Sequence, residues 1–263
     1  MRLEFTKMEG LGNDYIYVDA GKYHIDNPQE LSKRLSDRHF GVGADGLVLI
    51  GPSEVADFRM IMYNADGSEG LMCGNAARCI GKYVLEKGLT NKTVIGLETA
   101  SGVRRLNLHV AADGTVESVT VDMGRYSIIQ RNMVLEAAGR SFSGMHVDVG
   151  NPHFVVFVPD AEAEDVDALG PVLENQVPGG INVEFASVRP GGIRMRVWER
   201  GSGITLACGT GACATAAAAI EQCLCGSPCS IFMDGGTLEV SVLDGAILQR
   251  GPAKTVFEGA VFF

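Results

Sequence analysis

The chain has 263 residues, 46% of them hydrophobic and 21% charged, a composition that supports a large core and argues against extensive disorder. A formal charge of −10 works against nucleic acid or an anionic membrane as a partner, since both reward basic surfaces. No stretch approaches the roughly 18 consecutive apolar residues of a membrane span, and the opening MRLEFTKMEG has no hydrophobic signal core, so a cytoplasmic protein is expected.

In chain order, residues 3–8 and 15–19 read as strands joined by a tight polar loop at 10–14. A helix is expected from Asn27, with Pro28 at its first position, Glu30 three residues after the cap and Leu31 and Leu35 on one face, ending near 39–41. Strands at 47–50 and 57–63 lead into a helix at 74–85 that is apolar nearly all round, as a helix enclosed by sheet should be, with Gly88 as its stop. Strands follow at 93–97, 103–110 and 115–121, the last two joined by an Asp113-Gly114 turn. The second half offers strands at 145–149 and 154–158, an acidic run at 160–169 read as the solvated face of a short helix, and strands at 183–188 and 193–198. An alanine-rich helix from 212 to 220 is followed by strands at 231–233, 237–243 and 246–249 and a strand-like tail at 255–263.

The chemistry is concentrated in two cysteine loops. Placing Cys73 on Cys208 needs an offset of 135 residues, and at that offset Arg59, Met60, Leu71, Cys73, Gly74 and Ala77 meet Arg194, Met195, Leu206, Cys208, Gly209 and Ala212. Tyr63 meets Trp198 and Asn64 meets Glu199, without a gap. Such an internal repeat implies two similar halves, each presenting a cysteine at the start of a helix. There the helix dipole favours thiolate and is expected to lower the thiol pKa below its free value of about 8.5, and uncovered backbone amides can hold a carboxylate. Either cysteine taken alone reads first as a small buried hydrophobe, and it is the repeat that favours chemistry. Two such thiols brought together by pseudo-twofold symmetry can act on opposite faces of one small molecule. Seven cysteines, an odd number, do not read as a disulfide framework, and reduced thiols are expected throughout. Cys223, Cys225 and Cys229 form C-x-C-x₃-C with no nearby histidine, which fits packing at a helix end better than zinc.

GLGNDY (10–15), NADGSEGLMCGNAARC (64–79), GNPH (150–153), Asn182 within INVEF and ERGSGITLACGTGAC (199–213) together resemble the signature blocks of the diaminopimelate epimerase family, in the family's order and across both halves. The resemblance implies an α/β (α+β) fold of two pseudo-symmetric domains, each a curved, mostly antiparallel sheet or barrel around a central helix, with the site in the cleft between them. The domains would be 1–115 with the C-terminal strand 253–263, and 116–252. It implies cofactor-independent epimerisation of LL-2,6-diaminopimelate to the meso form, in lysine and peptidoglycan precursor synthesis, by a homodimer with no metal and with the small-molecule substrate as its other partner.

Residue by residue, the resemblance makes Cys73 and Cys208 the acid–base pair. The backbone amides of Gly74, Asn75, Gly209 and Thr210 would hold the α-carboxylate, and Asn13, Asn64, Asn151 and Asn182 would supply amide contacts. Arg200 would pair with the distal carboxylate; Glu199 would face the distal ammonium near one thiol, with His153 near the other. The plainer readings are that Asn13 and Asn151 satisfy turn backbones, that Glu199 and Arg200 form an exposed ion pair worth under about 1 kcal/mol, and that His153 is a core histidine. His24, His39, His109 and His146 match no motif and read as structural.

Two positions depart from the family pattern. Gly46 stands where some relatives carry a substrate-touching glutamine, and Phe257 where relatives carry a tyrosine linked to dimer formation. The rival readings are a two-thiol racemase for proline, hydroxyproline or histidine, a thiol redox or metal-binding protein, and a binding protein for a zwitterion. Glu199 and Arg200 argue against a substrate without a charged far end.

Overall fold

Apolar residues recurring at every second position make strands the dominant element: along Arg2–Gly10, Leu3 and Phe5 are buried while Arg2 and Glu4 are exposed. The structure, a computed structural model, describes residues 2–262. Its first half contains β1 (Arg2–Gly10), β2 (Asn13–Asp19), α1 (Pro28–Ser36), β3 (Gly46–Gly51), β4 (Phe58–Asn64), β5 (Glu69–Gly70), α2 (Gly74–Glu86), β6 (Val94–Thr99), β7 (Gly102–Val110) and β8 (Val116–Arg125). The second contains β9 (Ser127–Ala137), β10 (Arg140–Asp148), β11 (Pro152–Phe157), α3 (Val166–Glu174), β12 (Asn182–Arg189), β13 (Gly192–Glu199), β14 (Gly203–Ile204), α4 (Gly209–Glu221), β15 (Cys229–Met233), β16 (Gly236–Leu243) and β17 (Ala246–Gly251), before β18 (Lys254–Phe262). The chain divides into two units, Met1–Asp122 with Gly251–Phe263, and Met123–Arg250.

Both units use one pairing scheme. In the first, β18 pairs antiparallel with β1, β1 with β2, β2 runs parallel to β3, β3 is antiparallel to β4, and β4 runs parallel to β6, which continues antiparallel to β7. In the second, β9, β10, β11, β12, β13, β15 and β16 repeat that sequence of antiparallel and parallel pairings. The helices α2 and α4 have 13 residues each and begin 135 positions apart, at Gly74 and Gly209. The fold is mixed α/β, dominated by sheet, with a pseudo-symmetric two-part plan.

Within each unit the sheet carries a different helix on each face. Leu47 and Leu49 of β3 pack with Leu35 of α1, and Val183 and Phe185 of β12 pack with Leu169 and Leu173 of α3. The opposite faces receive α2 and α4, whose Ala76, Ala77, Ile80 and Val84, and Ala212, Ala214 and Ala216–Ala219, are wholly buried. Alanine lets the sheet approach α4 closely on all sides, and the helix touches β10, β11, β12, β13, β15 and β16.

Several expectations are corrected. The strand β9 falls in a stretch assigned no element, because most of its residues are exposed and the sequence shows no buried alternation there. The helix α1 ends at Ser36, since the Asp37 side chain accepts the N–H groups of His39 and Phe40 at 2.7 Å each and turns the chain out. The acidic run is not one solvated helical face: Asp160 caps a short 3₁₀ turn, Asp165 caps α3, and Glu164 is buried and receives both Arg140 Nη1 and Nη2, at 2.8 and 2.9 Å. Cys225 and Cys229 are joined in a disulfide, which overturns the expectation of reduced thiols throughout; Cys223 is an exposed thiol. Among the described residues no helix is long and apolar enough to cross a membrane.

Candidate active site

Both candidate cysteines are helix N-caps in extended backbone conformation, Cys73 before α2 and Cys208 before α4. In the first unit Cys73 is half-buried, and its Sγ donates to Asn13 Oδ1 at 3.4 Å; Asn75 Nδ2 donates to the same oxygen at 3.3 Å. Asn13 is held by its own Nδ2, which donates to Asp45 Oδ2 at 2.8 Å. Arg38 donates to both Asp45 and Asp14 at 3.0 Å, and Lys7 lies 2.8 Å from Asp14. Burial works to raise the Asp14 carboxyl, but hydrogen bonds and charge from Lys7 and Arg38 outweigh it and hold it below its ordinary value. From the helix side, the fully buried Arg78 donates Nη2 to Asn75 Oδ1 at 2.6 Å and Nε to the Pro252 carbonyl at 3.0 Å. Asn64 donates Nδ2 to Ser68 Oγ at 3.0 Å.

In the second unit Cys208 is buried, 4% exposed, and its Sγ accepts the Gly211 N–H at 3.3 Å and lies 3.5 Å from Thr210 Oγ1. Asn151 Nδ2 donates to Thr210 Oγ1 at 3.3 Å, and Asn151 Oδ1 lies 3.0 Å from His153 Nε2. The other ring nitrogen, Nδ1, lies 2.6 Å from Glu184 Oε1, with both side chains wholly buried. Asn182 bridges locally, donating to the Pro152 carbonyl at 2.8 Å and accepting the Arg200 backbone N–H at 2.9 Å. Glu199 accepts from Thr205 Oγ1 at 2.5 Å, and Arg200 donates Nη1 to the Gly179 carbonyl at 3.1 Å. The structure thus joins Asn13, Cys73 and Asn75 in one network and Asn151, His153, Thr210 and Cys208 in another, and it leaves Asn64, Glu199 and Arg200 in separate local bonds.

One electrostatic expectation is reversed. Burial, then the charges of Glu199 and Glu184, push the Cys208 thiol well above its ordinary value, and the Thr210 and Gly211 hydrogen bonds offset only part of this. The helix terminus does not deliver a lowered pKa there, because about 0.3–1 kcal/mol from a dipole is small beside the cost of burying an anion.

The sequence profile described as diaminopimelate epimerase matches residues 5–129 and 145–256. A diaminopimelate epimerase of Bacteroides thetaiotaomicron is 52% identical over 263 residues, covering 98% of this chain and 97% of its own. One of Phocaeicola vulgatus is 50% identical over 275 residues, covering 98% of each. The chain belongs to the diaminopimelate epimerase family. The fold itself is shared more widely. A Bacillus anthracis phenazine biosynthesis protein of the PhzF family matches with a TM-score of 0.77 at 16% identity, covering 100% of both chains. A hydroxyproline epimerase from Agrobacterium vitis, with bound trans-4-hydroxy-L-proline, matches with a TM-score of 0.73 at 18% identity, covering 99% of this chain and 92% of that one. Likeness at such identities shows the fold alone.

Within the diaminopimelate epimerase family, the Gly46 departure is built into the backbone. A Cβ at Gly46 would lie 2.1 Å from the Tyr63 carbonyl oxygen and 2.8 Å from the Tyr15 ring, so a glutamine there requires β3 to move. Phe257 is half exposed on β18 and packs edge-on against Phe5, ring centroids 5.9 Å apart. Sequence reasoning missed Glu184, although the signal was present: in Ile181-Asn182-Val183-Glu184-Phe185 the two polar residues alternate, so they share one face of a strand that is otherwise buried.

Proposed function

We propose that this protein interconverts LL- and meso-2,6-diaminopimelate, with Cys73 and Cys208 as its acid–base pair, as a cytoplasmic homodimer in lysine and peptidoglycan precursor synthesis. The observation that carries the reading is the repeated helix start: a cysteine N-cap before α2 and another before α4, in two units of the same strand order. Inverting an amino-acid α-carbon requires that its proton leave from one face and another arrive on the opposite face. One sulfur, as thiolate, takes the α-proton; the other, as thiol, gives its proton to the far side of the carbanion. The two have then exchanged protonation states, and the same pair serves the reverse direction. Both sulfurs must therefore reach one α-carbon.

Charge developing on the carbanion spreads into the α-carboxylate. The N–H groups of Gly74, Asn75, Gly209 and Thr210, at the first turns of two helices, are suited to receive it, because fixed donors cost no reorganisation as the charge builds. Arg200 and Glu199 would read the distal carboxylate and ammonium, which separates diaminopimelate from amino acids with uncharged far ends. The reading is tested by Cys73→Ala and Cys208→Ala, following the meso isomer formed from LL-diaminopimelate by chiral chromatography. Each variant is expected to lose at least about 10²-fold in rate, the lower range for a positioned acid or base. Near wild-type conversion by either would overturn the two-thiol mechanism.

A further inference from the structure

The two half-sites share a plan, strand register fixes which residues match, and three of the positions at which they differ lie together. In the first unit Tyr15 lies opposite Gly46, Gly46 opposite Asn64, and Val48 opposite Met62. In the second, His153 lies opposite Asn182 and Glu184 opposite Val197. Met62 and Val197, like Ala76 and Gly211, are separated by the repeat's 135 residues. Tyr15, Val48 and Ala76 therefore hold the places that His153, Glu184 and Gly211 hold in the second unit.

These three differences act together. Glu184 shares with Asn182 the β12 face turned to α4, while Val183 and Phe185 point into the hydrophobic core. Its carboxyl is wholly buried, and Oε2 has no hydrogen-bond partner among the described residues. It reaches the start of α4 because residue 211 is glycine: an added Cβ would sit 2.8 Å from Glu184 Oε1 and 3.2 Å from Cys208 Sγ. Carboxyl and thiol thus flank the same glycine. In the first unit the matched residues are Val48 and Ala76, which bring no charge to the helix start.

A proton count follows from the bonding. Asn151 Nδ2 donates to Thr210, so Asn151 Oδ1 faces His153 Nε2, which must carry hydrogen. His153 Nδ1 and Glu184 Oε1 then share one proton; with it on Nδ1 the two form an ion pair whose carboxylate lies beside Gly211. Burial raises the Glu184 carboxyl, with His153 offsetting part of the rise. Leaving a charge unpaired here would cost several kcal/mol.

We propose that Glu184, through His153 and through its approach to Gly211, is a positioning residue that holds Cys208 as the proton-bearing thiol of the resting enzyme, leaving Cys73 to act first as base. The proposal rests on the epimerase reading above. The charged and titratable groups around Glu184 are His153 of β11, Glu199 of β13 and Cys208 of α4, with His146 of β10 beyond His153. Glu199 acts on Cys208 in the same direction, so removal of Glu184 lessens the effect without abolishing it.

The test uses the full chain. Glu184→Gln keeps the shape and a donor for His153 Nδ1 but removes the charge; Glu184→Val copies the first unit and serves where the amide variant fails to fold. Alkylation of Cys208 by iodoacetamide, resolved by peptide mass spectrometry across pH without substrate, is expected to rise at lower pH in both variants, by about tenfold in rate per unit of displacement below the titration midpoint. With LL-diaminopimelate, kcat is expected to fall by about tenfold or more while KM changes little, since Glu184 is wholly buried behind His153 and the start of α4. Glu184→Asp is expected to return the alkylation profile towards wild type. Profiles of Glu184→Gln and Glu184→Val that coincide with wild type would overturn the proposal. Displaced profiles in a protein whose wild type turns over no diaminopimelate would uphold the proton-holding arrangement and overturn the epimerase reading instead.

Discussion

Cys208 sits where a helix terminus and burial pull a thiol in opposite directions. The Gly211 N–H at 3.3 Å favours the thiolate, whereas burial and two nearby carboxylates favour the thiol, and the second group prevails. Gly211 is the pivot, because only a residue without Cβ admits both groups to the first turn of α4. Gly211→Ala should gain about 1 kcal/mol in helix propensity, yet overpacking against Glu184 and Cys208 costs about 1–3 kcal/mol, so no net stabilisation is expected and epimerisation falls. Thermal unfolding and turnover of the variant check this; a more stable protein with full activity would contradict it. At this scale the cysteines were legible because glycine-flanked thiols repeat at a fixed offset. Glu184 and the burial-raised thiol were not, since burial and strand register decide both, and neither is local in sequence.

The helices α2 and α4 were the most legible elements, one apolar nearly all round and the other an alanine run, both stopped within a residue or two of their expected ends. Paired strands with one buried face were also readable, and so was the strand-like tail that forms β18, although its return to the first half was implied by the family resemblance alone. What escaped was set by contacts remote in sequence. The strand β9 exists through its antiparallel pairing with β10 rather than through its own pattern, and the end of α1 is decided by one aspartate bonding two amides. The Cys225–Cys229 bridge joins the segment after α4 to the first residue of β15, a pairing that counting cysteines cannot give.

Across the whole molecule, the repeated strand order places one buried helix and one helix-capping thiol in each unit, and the burial that makes such sites also stores acids in neutral form. Burial pushes the Cys79 thiol up to about 12, a rise that a Tyr17 hydrogen bond and the Arg78 charge only partly oppose, and burial takes Tyr83 to about 12 as well. Cys208 moves in the same direction. Because these folded-state values are raised, their contribution to stability is complete below the unfolded values of about 8.5 for a thiol and 10 for a phenol, and is lost as pH climbs from there towards 12. The melting temperature should therefore hold through neutral pH and fall steeply on the alkaline side, and Cys79→Ala should flatten that fall. Parallel alkaline limbs for variant and wild type would contradict it.

The central claim, that two thiols invert the α-carbon of diaminopimelate, is tested most directly by proton NMR in deuterated water, with purified protein, no added cofactor, and LL-diaminopimelate beside proline and histidine. Deuterium entering the α-position of diaminopimelate alone, with the meso isomer appearing, is the expected result; exchange into proline or histidine instead, or into none of the three, would contradict it.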